Sequence, residues 1–462
     1  MLYDISADVG RTDDERSMEA PMKPVLAGPE VSGRRVDPES DGVGPIRLAL
    51  VGAGQRGIHA YGSFALRHPG RARFVAVAEP DAARRGLFAT AHGISKECAY
   101  ADWRTLITRS DGIDAVVIAS PDREHYEPAV AALEHGYPIL VEKPISDQLS
   151  EVLDLLHRVR DPADVTVAHS QRYTPFFATI KTLIDEGRIG ELVTIDHHEN
   201  VAYFHFVHSY VRGNWRRTDQ SSPFILAKAS HDLDLIRWLA DAPCTSVASV
   251  GRLSHFRPWN APAGAPLRCL DGCPARDTCA FFAPDYYLNE PPGWTLRLAV
   301  TEDPAPNAIV DALRTGPYGR CVYHCDNDVT DHQSTVLGFA NGVSATFTVA
   351  GLSADGTRTI KLMGGRGDIR GHMAKGEIEV RTFNANGRPS TELIRVSADG
   401  DHGGGDDRMM GSFVSRLVER RGNLPFRESE TSLHVSIDSH TMAFAAEESR
   451  INGSTLDPRR YL

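Results

Sequence analysis

The run Ile46-Arg-Leu-Ala-Leu-Val51, followed by Gly52-x-Gly54-x-x-Gly57, constrains this chain more than any other feature. An apolar run that enters a glycine turn and continues into a helix-like segment predicts a strand–turn–helix unit. Gly52 permits the tight turn, Gly54 lets backbone approach a ligand, and Gly57 lets the helix pack on the strand. The N-terminus of the new helix offers N–H groups and partial positive charge, which suit a dinucleotide's pyrophosphate. Gln55 and Arg56, inside the same turn, join the predicted cofactor contacts. A second apolar run, Phe74 to Ala78, ends in Glu79. That is about 20 residues beyond the last glycine, where a ribose-binding carboxylate is expected. Such a carboxylate repels a 2′-phosphate, so NAD is expected over NADP, with Arg56, Arg84 and Arg85 near enough in sequence to offset the repulsion.

From 46 to about 170, apolar runs at 46–51, 74–78, 114–118, 138–141 and 164–168 alternate with amphipathic segments near 57–68, 81–92, 123–135 and 147–159. Such alternation predicts βαβ crossovers and a doubly wound parallel sheet covered on both faces. After 190 the pattern changes to crowded strand-like stretches at 191–199, 245–253, 333–339, 343–350, 357–363 and 376–382, with turns such as Asn341-Gly342. This predicts an α+β domain with an open, mainly antiparallel sheet. Segments 406–421 and 429–450 read as helices that pack back onto the body. The expected organisation is an N-terminal arm at 1–44 without repeating apolar spacing, a nucleotide-binding domain at 45–170, and a substrate-binding and oligomerisation domain at 171–462. The last carries a cysteine-rich insertion at about 255–326.

A net charge of −11 argues against binding to a nucleic-acid backbone or an anionic membrane surface. No apolar run approaches the roughly 18 residues of a membrane span, and the first twenty residues lack the pattern of an export signal. A cytoplasmic enzyme is expected. An open sheet leaves one face to cover, which predicts a homo-dimer or homo-tetramer.

Three further motifs bring a family into view. Glu142-Lys143-Pro144 closes the fifth strand, Ser120-Pro121 with His125 follows the fourth, and His231-Asp232 with Asp234 opens a helix. With these at their spacing from the glycine turn, the chain resembles the Gfo/Idh/MocA oxidoreductases over about 46–450. The resemblance implies a first domain that binds NAD or NADP, with Ser120, Pro121, His125 and Glu142 beside the cofactor. It also implies a second domain whose sheet holds a sugar, cyclitol or related polyol.

Strand C-termini face the ligand crevice in a doubly wound sheet, which places Lys143 beside the nicotinamide. A lysine near a cationic ring, or partly desolvated, has its pKa lowered toward acid–base work. His231 can relay a proton from a substrate hydroxyl, and a neighbouring carboxylate can set its tautomer; His231 and Asp232 are both expected to contact the substrate. Many relatives carry an aspartate four residues before this histidine; here that residue is Ala227. Lys228 stands next to it and can take over a positioning role, but not the negative charge.

Cys269-x3-Cys273-x5-Cys279 and Cys321-x3-Cys325 form a second departure. Clustered cysteines in a cytosolic chain point to metal before disulfide, and four could hold a structural zinc. Free thiols, disulfides and an iron–sulfur cluster remain open readings. Between Tyr318 and Gln333 the chain is dense in hydrogen-bonding groups, as polyol binding requires. Arg320, Asp326, Asp328 and His332 are therefore expected near the substrate, or else in a solvated loop. Arg172 and Tyr173 stand at the domain junction, to face the crevice or to pack the hinge. His197, His198, His205 and His208 lack carboxylate partners at ligand spacing and read as strand and loop residues. The stretch 401–407 reads as a flexible loop that caps the helix beginning near Asp406.

These residues support three functions. The first is an NAD(P)-dependent oxidoreductase acting on a ring hydroxyl of a sugar, aminosugar or cyclitol. The second is a redox-neutral glycoside-cleaving enzyme or epimerase that works through a transient keto-sugar. The third is a non-catalytic nucleotide sensor.

Overall fold

β1 (Ile46–Val51) lies at the middle of a six-stranded sheet because nearly every one of its side chains is buried. A strand covered on both faces must read as a continuous apolar run, and β1 does. The computed structural model describes residues 44–109, 111–289, 296–301, 303–397, 401–422, 424 and 427–462. The expected arm at 1–44 lies outside these residues except for Gly44.

The sheet continues through β2 (Ala72–Ala78), β3 (Ala99–Tyr100), β4 (Ala115–Ile118), β5 (Ile139–Val141) and β6 (Val165–Val167). Its order is β3-β2-β1-β4-β5-β6, with every pair parallel. The order reverses between β1 and β4, which opens a crevice at the strand C-termini where ligands bind in such folds. β3 and the helix Trp103–Arg109 after it were not anticipated; a two-residue strand is too short to leave a period.

The second sheet comprises β7 (Leu192–Ala202), β8 (Cys244–Arg252), β9 (His332–Phe339), β10 (Ser344–Ser353), β11 (Thr357–Gly364), β12 (Gly367–His372), β13 (Glu377–Thr382) and β14 (Ser390–Arg395). Its order is β14-β13-β12-β11-β7-β10-β9-β8, and all pairs are antiparallel except β7–β10. The long excursion between β7 and β10 permits that one parallel pair. β9 and β10 alternate buried and open side chains, so one face packs on helices and the other does not.

The C-terminal helices join the two halves. Met409, Met410 and Phe413 of the helix Gly405–Arg421 enter the core of the first sheet. In the helix Leu433–Asn452, Leu433 and Ile437 pack on the first sheet, whereas Met442 and Ala443 enter the core of the second. His205 and His208, expected in loops, lie in the helical segments Tyr203–Phe206 and Val207–Arg212.

Candidate active site

The glycine turn is shaped by contact on one side and openness on the other. Gly52 has φ +91°, and a Cβ there would stand 2.6 Å from the Ser120 backbone nitrogen. On Gly57 a Cβ would meet the Gly52 carbonyl oxygen at 2.3 Å, so neither position accepts a side chain. Nothing lies within 4 Å of the same point on Gly54, which leaves the backbone open to a pyrophosphate. The donors of that turn therefore fit a dinucleotide. Glu79, 4 % exposed, points back at the turn. Its carboxylate accepts from the Ala53 N–H (2.9 Å), the Asp81 N–H (3.0 Å) and the Arg84 guanidinium (2.7 Å). Arg84 thus sits on the carboxylate expected to select NAD.

Arg56, at the start of the widened helical turn Arg56–Gly62, reaches across the crevice. Its Nε donates to Glu142 at 2.6 Å, and its Nη1 and Nη2 donate to Asp406 at 2.7 and 2.8 Å. Tyr61 donates its hydroxyl to the same Glu142 oxygen. Burial pushes the Glu142 carboxyl up, but Arg56, the Tyr61 hydroxyl and Lys143 hold it below the usual carboxylate range. Asp406 therefore belongs to a site wall built by a helix that begins at Gly405, and not to a flexible loop.

Lys143 follows Glu142 at the end of β5. Its ammonium donates to the Ala227 carbonyl at 2.7 Å. Burial lowers its pKa to about 8, against the pull of Glu142 and Asp122 and with the help of Lys228 and Arg56. Here the missing aspartate acquires a physical meaning. A carboxylate at 227 would stabilise the ammonium, whereas a neutral carbonyl leaves burial in control. The backbone around Lys143 is held from two sides. His125, fully buried, bridges the Pro144 carbonyl (2.6 Å) and the Ser120 carbonyl (2.7 Å), tying the β4 and β5 loops together. His440 accepts from the Ile145 N–H at 3.1 Å and lies 3.0 Å from the Ser436 carbonyl through its other nitrogen. His125 is thus a brace rather than a cofactor ligand in this arrangement.

The wall contributed by the second domain is made of paired charges. The Lys228 ammonium lies 3.0 Å from Glu199, and Arg358 lies 3.0 Å from the same Glu199 and 2.7 Å from Asp232. Asp232 also accepts from His197 at 2.7 Å. Burial pushes Asp232 up, yet Arg358 and His197 reverse this and hold it well below the usual carboxylate range. Asp232 is fully buried and committed to these partners, which corrects its assignment to substrate binding. His231, buried on the first turn of the helix Ser230–Ala240, packs edge-on against His169, ring centroids 5.7 Å apart. Burial pushes His169 down to about 3, with Asp234 opposing, so this ring is neutral.

Other expectations move away from the crevice. Arg172 forms a two-pronged pair with Asp234 (2.6 Å each) and donates to the Glu430 carbonyl, and Tyr173 lies 3.4 Å from Ser429 and Thr431; both pack the hinge. Arg320 and Arg216 both bind Asp326, at 2.6 and 2.8 Å, and Asp328 accepts from the Thr218 N–H at 2.7 Å. These residues fasten the loop 213–222. His332 pairs with Asp331 at 2.7 Å at the start of β9. The same loop brings Trp215, Ser221 and Ser222 onto Asp122, a buried carboxylate whose field reaches Lys143. Asp122, Glu199, Arg358, Tyr61 and Asp406 went unread in the sequence. Only Asp122, one residue after Pro121, had a local signal.

Among the described residues no group of three or more His, Cys, Asp or Glu side chains stands ready to hold a metal, and all seven cysteines are free. Cys325 turns from the other four, its thiol donating to the Cys321 carbonyl at 3.3 Å, which removes it from the expected ligand set. No described helix is long and apolar enough to cross a membrane.

Residues 46–169 match a family model described as an oxidoreductase family with an NAD-binding Rossmann fold, and 177–370 match one described as the GFO/IDH/MocA C-terminal domain. Inositol 2-dehydrogenase 1 of Saccharopolyspora erythraea is 32% identical over 204 residues, 44% of this chain and 56% of that one. The NAD(+)-dependent scyllo-inositol 2-dehydrogenase of Bacillus subtilis is 28% identical over 45% of this chain and 58% of its own. The aligned part of the chain thus spans little more than half of these two relatives. A levoglucosan dehydrogenase solved with NADH and levoglucosan shares the fold, with a TM-score of 0.66 at 18% identity over 89% of this chain and 99% of that one.

Proposed function

The chain belongs to the GFO/IDH/MocA oxidoreductase family, and on that premise we propose that it moves a hydride between NAD and a ring carbon bearing a hydroxyl in a sugar, aminosugar or cyclitol. The observation that carries this reading is Lys143. It is half-buried at the mouth of β5 and held on a neutral carbonyl, with a pKa of about 8. A general base works best when its pKa lies near the working pH.

In alcohol oxidation, the neutral Lys143 amine takes the proton of the reacting hydroxyl as the hydride leaves the same carbon. The bound nicotinamide supplies the hydride acceptor. The turn at Gly52, Gly54 and Gly57 would hold the pyrophosphate and Glu79 the adenosine ribose, while Glu142, fixed by Arg56 and Tyr61, lines the nicotinamide side. His231 faces the substrate hydroxyls as a second hydrogen-bonding group, and the Lys228–Glu199 pair lines the opposite wall. Arg84 on Glu79 narrows the preference for NAD over NADP without reversing it, because the carboxylate still faces the turn.

The net dehydrogenase is preferred to the redox-neutral route because the named relatives are dehydrogenases. Mass spectrometry of nucleotide released from freshly purified protein tests the choice. Reversible NAD binding with NADH formation on polyols is the expected result. Near-stoichiometric NAD that survives purification, with glycoside cleavage and no net NADH, would replace this reading by the redox-neutral one. The open face of the second sheet carries Val250 and Val336, each more than half exposed, and a homo-dimer or homo-tetramer would cover it. Light scattering should show an oligomer that Val250→Glu reduces to monomers.

A further inference from the structure

The cysteine-rich excursion between β8 and β9 has a small core of its own: Cys269, Phe282, Ala283, Tyr287, Ile309 and Leu313. Two short helices, Ala283–Leu288 and Pro306–Thr315, make up most of its regular structure. A module this poor in apolar contacts needs a staple. Its outgoing and returning strands meet at one bridge, where Cys269 N donates to the Gly319 carbonyl (3.0 Å) and Cys321 N to the Leu267 carbonyl (2.9 Å). Cys273 and Cys279 come from the turns that follow. These four cysteines, drawn from both ends of the excursion, line one cavity of about 10 Å³ whose remaining walls include Pro266, Phe281 and Phe282. That volume admits about one small atom or water.

A second observation points to negative charge at the same place. Arg212 is 1 % exposed, yet its guanidinium donates to the Arg320 and Phe281 carbonyls, both at 2.8 Å, and to Cys269 Sγ at 3.6 Å. Among the described residues it forms no ion pair with a carboxylate. A buried guanidinium is costly without a counter-charge, and the Cys269 sulfur against it can supply one as a thiolate.

We propose that Cys269, Cys273, Cys279 and Cys321 hold a single zinc ion in a tetrathiolate site, with Arg212 as its buried counter-cation. Binding replaces four S–H protons by four S–Zn bonds, releases the protons to solvent and leaves a site of net charge −2, part of which Arg212 offsets. The thiols reach ligation distance, about 2.3 Å from the metal, by rotating into the cavity they already line. Cys325 is outside the set. An iron–sulfur cube would need several times this volume. The ion would close the excursion at its neck. Because Arg212 leads directly into the loop that carries Trp215 onto Asp122, it would also stiffen the wall behind Lys143.

Elemental analysis of the purified full-length protein, followed by cobalt exchange, tests the site. About one zinc per chain is expected, with cobalt giving the intense visible bands of a tetrahedral thiolate complex. Zinc should be lost in Cys273→Ser and Cys279→Ser and kept in Cys325→Ser. If the serine variants fail to fold, the cobalt spectrum of the parent protein still decides. Metal-free protein with all thiols open to titration, paired cysteines by mass, iron with acid-labile sulfide, or zinc lost in Cys325→Ser would each overturn the proposal.

Discussion

The two walls that meet at Lys143 are built on different principles. The wall at the glycine turn is backbone: strand ends so close that a Cβ on Gly52 or Gly57 would collide with main-chain atoms. The wall of the second domain is side-chain charge: Glu199, Lys228, Asp232 and Arg358, brought together from β7, a helical connection, a helix and β11. The first kind of wall binds whatever presents a pyrophosphate, because its contacts are main-chain dipoles. The second fixes the field around one lysine, and a change in any member alters that field. Cofactor recognition is therefore robust, while the reaction's acid–base chemistry is tunable.

The largest effect should come from the residue the walls share. Lys143→Ala is expected to lower kcat for polyol oxidation by about 10²–10⁴-fold while NAD still binds, as judged by quenching of protein fluorescence. Unchanged turnover would remove Lys143 from the chemistry. Next, Asp232→Ala strips Arg358 and His197 of their buried partner and should cost about 3–5 kcal/mol in urea unfolding. A loss within the range of an exposed pair would show that Asp232 is less committed than its contacts indicate.

Restoring a carboxylate tests the difference between the walls directly. In the parent protein, kcat/KM for oxidation should rise with pH to a plateau, with a midpoint near 8, because the base works only when deprotonated. Ala227→Asp places an opposite charge against the ammonium and should move that midpoint up by about 1–3 pH units. A midpoint that stays put would locate the lysine's control elsewhere than at 227. The smallest effect is expected on the wall at the glycine turn, where many main-chain contacts share the load. Glu79→Ala should shrink the preference for NAD over NADP by about tenfold, the worth of one charge-assisted hydrogen bond. Equal binding of both cofactors by the parent protein would mean that Arg84 already cancels the carboxylate.

Much of this was legible from spacing. The strand runs of the first sheet and the glycine turn are local patterns that steric rules read, and Glu79 and Lys143 follow the ends of β2 and β5 as expected. Parallel pairing follows from the alternation of strands and helices, while the order β3-β2-β1-β4-β5-β6 came from the structure. Illegible were the partners. Asp232 looked like a substrate ligand because it adjoins His231, yet it faces Arg358, 126 residues later. Arg172 was open between the crevice and the hinge, and only its clamp on Asp234 puts it in the hinge. Asp326 and Asp328 read as substrate contacts or as part of a solvated loop, and their anchoring of the loop 213–222 had no local signal.

By itself, then, the sequence determined the fold class, the cofactor turn and the lysine at the end of the fifth strand. Those depend on φ/ψ limits, side-chain periodicity and strand polarity, all properties of a few consecutive residues. Tertiary structure alone decided which charges pair, how far burial lowers the basicity of Lys143, and which four of five clustered cysteines share a cavity. Each of these is a distance between residues far apart in the chain, and burial amplifies its energy only after folding has excluded water.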